Sequence, residues 1–224
     1  MAKTKVSRKE LLKKPDEFIT KTARAIIFAR EHSSQFKLAG IIIVVLALIY
    51  VGATTYKGYV DKKGQEAFNK AYYSIIKAGL DRGDLTESEN LFRRVSDEYG
   101  LSKASLLALP ELAYIKCMEK EFDAAIDIYR QFQEKISDDD PYQSLTNLAL
   151  AACFEEKGEM DNAINSLEQV TSSKDDFFKE QAMLSLARVY SAANQESKSQ
   201  EILKDFVQKY QTSPFLELAK ARLN

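Results

Sequence analysis

An uncharged run of nineteen residues, 38-LAGIIIVVLALIYVGATTY-56, constrains the fold of this chain more than any other feature. At about 1.5 Å of rise per residue, a helix of that length spans roughly 28 Å, which is close to the roughly 30 Å hydrocarbon core of a bilayer. Large aliphatic residues occupy every face of such a helix and leave no polar stripe for water. Residues 38–56 are therefore predicted to form a transmembrane helix.

Two other interpretations of the apolar run, a buried soluble helix and a cleaved signal peptide, fit the sequence less well. A buried helix of a soluble domain normally keeps a polar stripe, which this run lacks. A signal peptide has a short charged leader, whereas 37 residues precede the run, although Val51-Gly52-Ala53 resembles a cleavage site. No cysteine lies near the end of the run, which excludes lipid attachment there.

Charge is distributed unevenly on the two sides of the run. Residues 1–37 contain ten Lys and Arg against four acids, a net of +6, whereas residues 57–224 carry a net of −7. Because basic flanks stay in the cytoplasm, this asymmetry predicts a cytoplasmic N-terminus and sends residues 57–224 across the membrane. The predicted organisation is a basic cytoplasmic segment over 1–37, the transmembrane helix over 38–56, and a folded domain over 57–224.

Apolar residues in the basic segment recur mostly at three- and four-residue spacing from Phe18 to Ala29. This period predicts an amphipathic helix that begins near Pro15 and ends at about His32. Such a helix could lie on anionic headgroups, dock on a partner, or only hold the N-terminus inside. His32 is the single histidine of the chain, and a lone exposed histidine is not expected to be a ligand or a catalyst.

Residues 57–224 repeat one pattern four times. Its clearest copy, 147-NLALAACFEEKGEMDNAINSLEQV-170, has a large–small pair, an aromatic residue, a glycine turn, and then a small residue followed by larger ones. The small residue recurs at Ser88, Ala125, Ala163 and Ser199, at intervals of 37, 38 and 36 residues. A small side chain at a helix crossing lets two backbones approach, and large neighbours fill the space beside it.

This pattern resembles the tetratricopeptide repeat, whose unit of about 34 residues consists of two antiparallel helices. The resemblance implies an all-α fold, in which a single transmembrane helix precedes a tetratricopeptide-like helical repeat solenoid. Residues 213–224 would form a C-terminal capping helix that covers the last repeat. The second copy departs from the pattern at the aromatic position, which is Lys116. A plain helical bundle is the alternative.

The sequence offers no set of residues suited to catalysis or to holding a cofactor. Residues 57–224 contain no histidine and no G-x-x-x-x-G-K phosphate loop, and their net negative charge disfavours nucleic acid. The acidic stretch 137-SDDDP-141 is interpreted as a cap and solvated turn rather than a metal site. Cys117 and Cys153 are predicted to be small core residues, because packed helix axes lie roughly 8–10 Å apart, too far for a disulfide. We expect no enzyme activity, cofactor or metal.

A binding scaffold is the function class that remains. In the tetratricopeptide family the first helix of each unit lines the concave side of the stack. The resemblance therefore implies groove positions for Tyr73, Lys77, Tyr114, Leu148 and Arg188. Two tyrosines, a leucine and two cations would suit an extended or partly folded polypeptide. Alternatively, Tyr114 and Leu148 pack against the neighbouring repeat.

The whole layout resembles the ancillary SecYEG translocon subunit family of Gram-negative bacteria. A basic leader, one span near residue 40 and a tetratricopeptide-type domain over 57–224 carry the resemblance. It implies an inner-membrane protein with a periplasmic domain, which hands emerging secreted chains from the translocon to periplasmic chaperones. A second hypothesis is a structural organiser of another envelope complex with one fixed partner. The span lacks small-xxx-small pairs, so the sequence gives no support for an oligomer through the membrane.

Overall fold

The computed structural model describes residues 17–81, 84–137, 141–174 and 176–223. These residues form helices and no strand, as the sequence predicts. The chain divides into two compact units, one up to Tyr56 and one from Lys57 onward. The helices are α1 (Glu17–Glu31), α2 (Ser33–Asp81), α3 (Thr86–Glu98), α4 (Lys103–Met118), α5 (Phe122–Gln133), α6 (Pro141–Glu156), α7 (Met160–Ser172), α8 (Lys179–Ala192), α9 (Glu196–Lys209) and α10 (Leu216–Leu223).

The first unit contains α1 and the apolar part of α2. Helix α1 corresponds to the predicted amphipathic helix, and Pro15 lies outside the described residues. In α2 the large apolar side chains from Leu38 to Tyr56 are each 47–71% exposed. Because no described residue covers them, the alternative of a buried soluble helix is wrong. Within the described part of the chain, α2 is the one helix long and apolar enough, by length and composition, to cross a membrane.

The second unit contains four helical pairs in succession and a final short helix. The end of α2 pairs with α3, α4 with α5, α6 with α7, and α8 with α9, after which α10 packs on α9. Each pair also contacts the next, since α3 packs on α4, α5 on α6, and α7 on α8. One pair cannot bury its own apolar face, so this succession gives the unit a continuous interior.

The predicted small residues lie at deeply buried positions of the four pairs. Ser88, Ala125, Ala163 and Ser199 are at most 3% exposed. The two serines are also hydrogen-bonded, because Ser199 Oγ donates to the Ala187 carbonyl (2.7 Å) and Ser74 Oγ donates to Ser88 Oγ (2.8 Å). A buried hydroxyl without a partner would be costly, so these bonds explain how serine replaces alanine there.

The turn inside each of the last three pairs has the same backbone form. Lys120, Gly158 and Asn194, each five residues before the small residue, have positive φ values of 62°, 78° and 58°. In every case the next N–H donates to the carbonyl five residues earlier, at 2.8–2.9 Å: Glu121 to Lys116, Glu159 to Phe154, and Gln195 to Tyr190. This Schellman arrangement satisfies carbonyls at the end of the first helix and reverses the chain.

Lys116 fills the position that Phe154 and Tyr190 occupy in the next two pairs. It is only 8% exposed, and its Nζ pairs with the carboxylates of Glu119 (2.8 Å), Glu89 (3.0 Å) and Glu121 (3.1 Å). The hydrogen bond with Glu119 is the largest cause of a raised pKa at Lys116, which therefore stays charged. An ion network thus links α3 to α4 where the other pairs use an aromatic ring.

Helix α2 is joined to the connection between α3 and α4 by close contact. Asp61 Oδ1 accepts a hydrogen bond from the backbone N–H of Lys103 (3.1 Å), which caps the start of α4. At Gly64 an added Cβ would lie 2.5 Å from Ser102 Oγ, so glycine permits this approach. The first repeat begins earlier on α2 than the copy found from residue 72, because Ala71 already lies in its core.

Both cysteines lie in the middle core, as predicted. Cys153 is buried and Cys117 is half-buried, and both are free thiols. A hydrogen bond between the two side chains lowers the pKa of Cys117 and raises that of Cys153. The acidic residues 138–140, interpreted as a turn, lie outside the described residues.

The predicted capping helix is shorter than its sequence suggests. Helix α10 starts at Leu216. In the residues before it, Ser213 Oγ accepts a hydrogen bond from the Phe215 N–H (3.1 Å). Ala219 and Leu223 pack on the core formed by α8 and α9, as expected. Phe215 and Leu218 are 44% and 45% exposed, because a helix of eight residues presents only a narrow face to the repeat.

We predict opposite effects of two substitutions in the turns. Lys120→Gly should raise the free energy of unfolding by up to about 1 kcal/mol, because lysine is strained at positive φ. Gly158→Ala should lower it by about 1 kcal/mol for the same reason. Urea unfolding of the full chain in mild detergent, followed by circular dichroism, measures both. Asn194→Gly is the control with a smaller gain, since asparagine tolerates this conformation; effects of one sign would contradict the account.

Loss of the Lys116 cation should destabilise the fold in a pH-dependent manner. Lys116→Ala should lower the free energy of unfolding by about 3 kcal/mol at neutral pH, because three carboxylates lose their shared partner. Burial would raise the pKa of Glu89, but hydrogen bonds from Arg93 and Lys116 lower it on balance from its ordinary 4.5. The stability contributed by Glu89 is therefore present above pH 4.5 and is lost as pH falls through the lowered value.

The same unfolding measurement, repeated across pH, checks this prediction. The difference between wild type and Lys116→Ala should shrink below pH 4.5. Lys220→Ala is the control, because the exposed Lys220–Glu217 pair should contribute less than about 1 kcal/mol. A loss equal to that of the control, or one that does not change with pH, would show that the network is not stabilising.

Candidate protein-binding groove

An open cavity of about 510 Å³ lies on the second unit where α2, α4, α5 and α6 meet. We call it the aromatic groove, because six of its thirteen lining residues are aromatic. The lining residues are Phe68, Asn69, Tyr72, Leu107, Pro110, Glu111, Tyr114, Tyr129, Phe132, Tyr142, Leu145, Thr146 and Ala149.

Helical periodicity brings these side chains to one surface. On α2, Phe68 and Tyr72 are one turn apart, and their rings stack with centroids 6.2 Å apart. On α6, Tyr142 and Leu145 share a face in the same manner, and the Tyr142 ring meets Phe132 of α5 edge-on at 5.9 Å. The groove is therefore built by rings from consecutive pairs rather than by a single helix.

Part of this apolar lining is open to solvent. Tyr72, Tyr114, Tyr142 and Leu145 are each 42–46% exposed. Aromatic rings that are half-exposed in a cavity offer large contact area at a small loss of side-chain freedom, which is the property of binding hot spots. The groove therefore presents apolar contact area to solvent.

A second hollow of about 450 Å³ adjoins the aromatic groove. It is lined by Pro141, Tyr142, Leu145, Phe177 and Phe178, so it shares Tyr142 and Leu145 with the groove. The rings of Phe177 and Phe178 meet edge-on at 5.0 Å, and Phe177 is 83% exposed. The apolar surface thus extends from α2 as far as the start of α8.

One carboxylate lies in this otherwise uncharged lining. Glu111 is on α4, one turn before Tyr114, and it is half-buried. Burial raises the pKa of Glu111, and no opposing contribution from a cation is found. Among the described residues, no Lys or Arg forms an ion pair with it.

The five residues predicted to line one groove lie in four places. Tyr114 lines the aromatic groove. Tyr73 and Lys77 line a separate hollow of about 310 Å³ between α2 and α3. Leu148 packs against the middle core, and Arg188 pairs with Glu155 beside a further hollow of about 400 Å³. Their role in binding stays a prediction.

Several groove residues were missed in the sequence. On α2 the tyrosine that lines the groove is Tyr72, whereas its neighbour Tyr73 faces elsewhere, because one residue turns a helix by about 100°. The 38-residue interval between two repeats could have identified some of them in the sequence. It relates Leu107 to Leu145 and Glu111 to Ala149, and all four residues line the groove.

The fold defines a helical-repeat protein. A tetratricopeptide repeat-like domain profile matches residues 33–180, and a tetratricopeptide repeat profile matches residues 181–213. The chain therefore belongs to the tetratricopeptide repeat-like family, as its resemblance implied. Domains of this family mediate protein–protein interactions, and the plain helical bundle is excluded.

Solved structures share the fold at low identity. The nearly identical TPR-like repeats assigned to a kinesin light chain of Podosopora anserina are 18% identical, with a TM-score of 0.57; the match covers 71% of this chain and 82% of that one. A tetratricopeptide repeat protein from Parabacteroides merdae is 14% identical, with a TM-score of 0.55 and coverage of 70% and 59%. No curated protein sequence matches this chain significantly.

Proposed function

We propose that this protein is a membrane-anchored scaffold whose aromatic groove binds segments of other polypeptides. The observation that carries the proposal is the cluster of half-exposed rings from α2, α4 and α6 around one cavity. Solvent-exposed apolar clusters of this kind mark interaction sites in folded proteins. The membership of the chain in a protein-binding repeat family supports the same conclusion.

The membrane anchor in this proposal is the apolar part of α2. Its exposed aliphatic side chains suit lipid tails, and its length suits the bilayer. The net charge of +6 over residues 1–37 favours a cytoplasmic N-terminus in a bacterial inner membrane, which leaves residues 57–224 in the periplasm. The basic α1 would then lie beside the cytoplasmic leaflet.

In that location the groove would contact proteins that emerge from the translocon, or the periplasmic chaperones that receive them. The support is the layout of leader, span and repeat domain, which resembles the ancillary SecYEG subunit. A half-open groove with exposed rings suits transient clients, because each ring gives affinity without demanding one fixed shape. No catalytic role is proposed, since proteins of this repeat family are typically non-enzymatic scaffolds.

Photo-crosslinking in native membranes tests this function. A photoreactive amino acid at Tyr114 of the full chain should give adducts with translocon subunits, periplasmic chaperones or a ladder of secreted chains. The matched control is the same residue at Tyr73, which is 69% exposed but lines a different hollow, and it should give few of these adducts.

Two other outcomes would change the conclusion. A single abundant adduct from Tyr114 to an unrelated envelope protein would replace the translocon role with that of a structural organiser. Adducts from Tyr73 but none from Tyr114 would show that the aromatic groove is not the binding surface.

A further inference from the structure

The charge pattern of the aromatic groove restricts what it can bind. Among the thirteen residues that line the cavity, Glu111 is the only charged residue. The residues that line the adjoining hollow carry no charge. A carboxylate in such a place repels acidic segments and leaves purely apolar segments with an unsolvated charge beside them. The groove is therefore suited to a ligand that brings a positive charge.

Other partly buried carboxylates of the described chain already have partners. Glu89 pairs with both Lys116 and Arg93, and Glu155 pairs with Arg188. Glu159 pairs with Lys157 (2.6 Å). Glu111 differs from these three, because burial alone accounts for its raised pKa.

The surroundings of Glu111 suit a lysine or arginine side chain. Tyr72, Tyr114, Tyr129 and Tyr142 line the same cavity, and tyrosine ring faces attract cations within about 6 Å of their centroids. Burial is the largest cause of the raised pKa of Tyr129, and smaller contributions come from Cys117, Cys153 and then Glu111. Carboxylate and rings together can hold one cation by a charge-assisted hydrogen bond and by ring contact.

We propose that the aromatic groove selects polypeptide segments in which one lysine or arginine is flanked by apolar side chains, with the cation bound to Glu111. The inference rests on the proposed function and specifies its ligand. The flanking side chains contact the rings of Tyr72 and Tyr142 and the aliphatic side chain of Leu145, while the basic residue reaches Glu111. Because part of the desolvation of Glu111 occurs already on folding, the ligand meets a preorganised partner.

A peptide selection measures this preference directly. The full chain in lipid nanodiscs is immobilised and exposed to a positional-scanning library of acetylated, amidated octapeptides, and the retained peptides are sequenced by mass spectrometry. Wild type should retain peptides with one Lys or Arg among apolar residues about tenfold over their uncharged counterparts. Glu111→Gln should keep the apolar preference and lose the basic one.

Two further variants make the selection conclusive. Glu201→Gln removes an exposed carboxylate on α9, outside the groove lining, and should select as wild type does. Glu111→Lys should reverse the preference towards Asp and Glu. Circular dichroism of each variant checks that its helices are intact.

The remaining outcomes separate the ligand from the function. If wild type selects apolar peptides with no basic preference, or Glu111→Gln retains that preference, the role of Glu111 is overturned and the scaffold function stands. If wild type retains no peptide above an empty nanodisc, both the ligand and the peptide-binding groove are overturned.

Discussion

The close approach of helices at four small side chains is the contact on which the rest of the second unit depends. Ser88, Ala125, Ala163 and Ser199 leave room for a neighbouring backbone, and large residues such as Phe92 and Leu167 fill the space beside them. A larger side chain there would separate the helices and leave voids that a packed interior does not tolerate. The spacing of the pairs, and hence the width of any groove between them, follows from these contacts.

Within that repeated frame, single positions differ and give each pair its own character. The aromatic position is Phe154 or Tyr190 in two pairs and Lys116 in another, where carboxylates replace a ring packing. The groove position is Ala149 in one pair and Glu111 in the preceding one. Repeated packing thus fixes where side chains lie, and the substitutions at equivalent positions decide what the surface binds.

The features that follow from local spacing could be predicted from the sequence. The small-residue intervals located the four pairs, and the same offset places Lys120, Gly158 and Asn194 at equivalent turns. The apolar run marked the part of α2 that no described residue covers. These features depend on residue size, charge and period, which the sequence displays directly.

The groove could not be predicted in the same way, because it depends on helix rotation and on contacts between pairs. Tyr72 and Tyr73 are adjacent and chemically identical, yet they line different cavities. In the sequence Glu111 is one of many acids on helical surfaces, and its isolation from cations is visible only in three dimensions. The resemblance implies a groove position for Leu148, with packing against the neighbouring repeat as the alternative, and in the structure Leu148 packs against the middle core.

The central claim is that the aromatic groove is the surface through which this chain binds its partners, and one comparison tests it most directly. Proteins that co-purify with the full chain from native membranes are quantified for wild type, Leu145→Glu and Leu101→Glu. Leu145 lines the groove and Leu101 does not. Their side chains are 44% and 66% exposed, so a charge introduced at either position can reach water. We predict that only Leu145→Glu loses the partners of the wild type. Retention of those partners by Leu145→Glu, or equal loss by Leu101→Glu, would contradict the account.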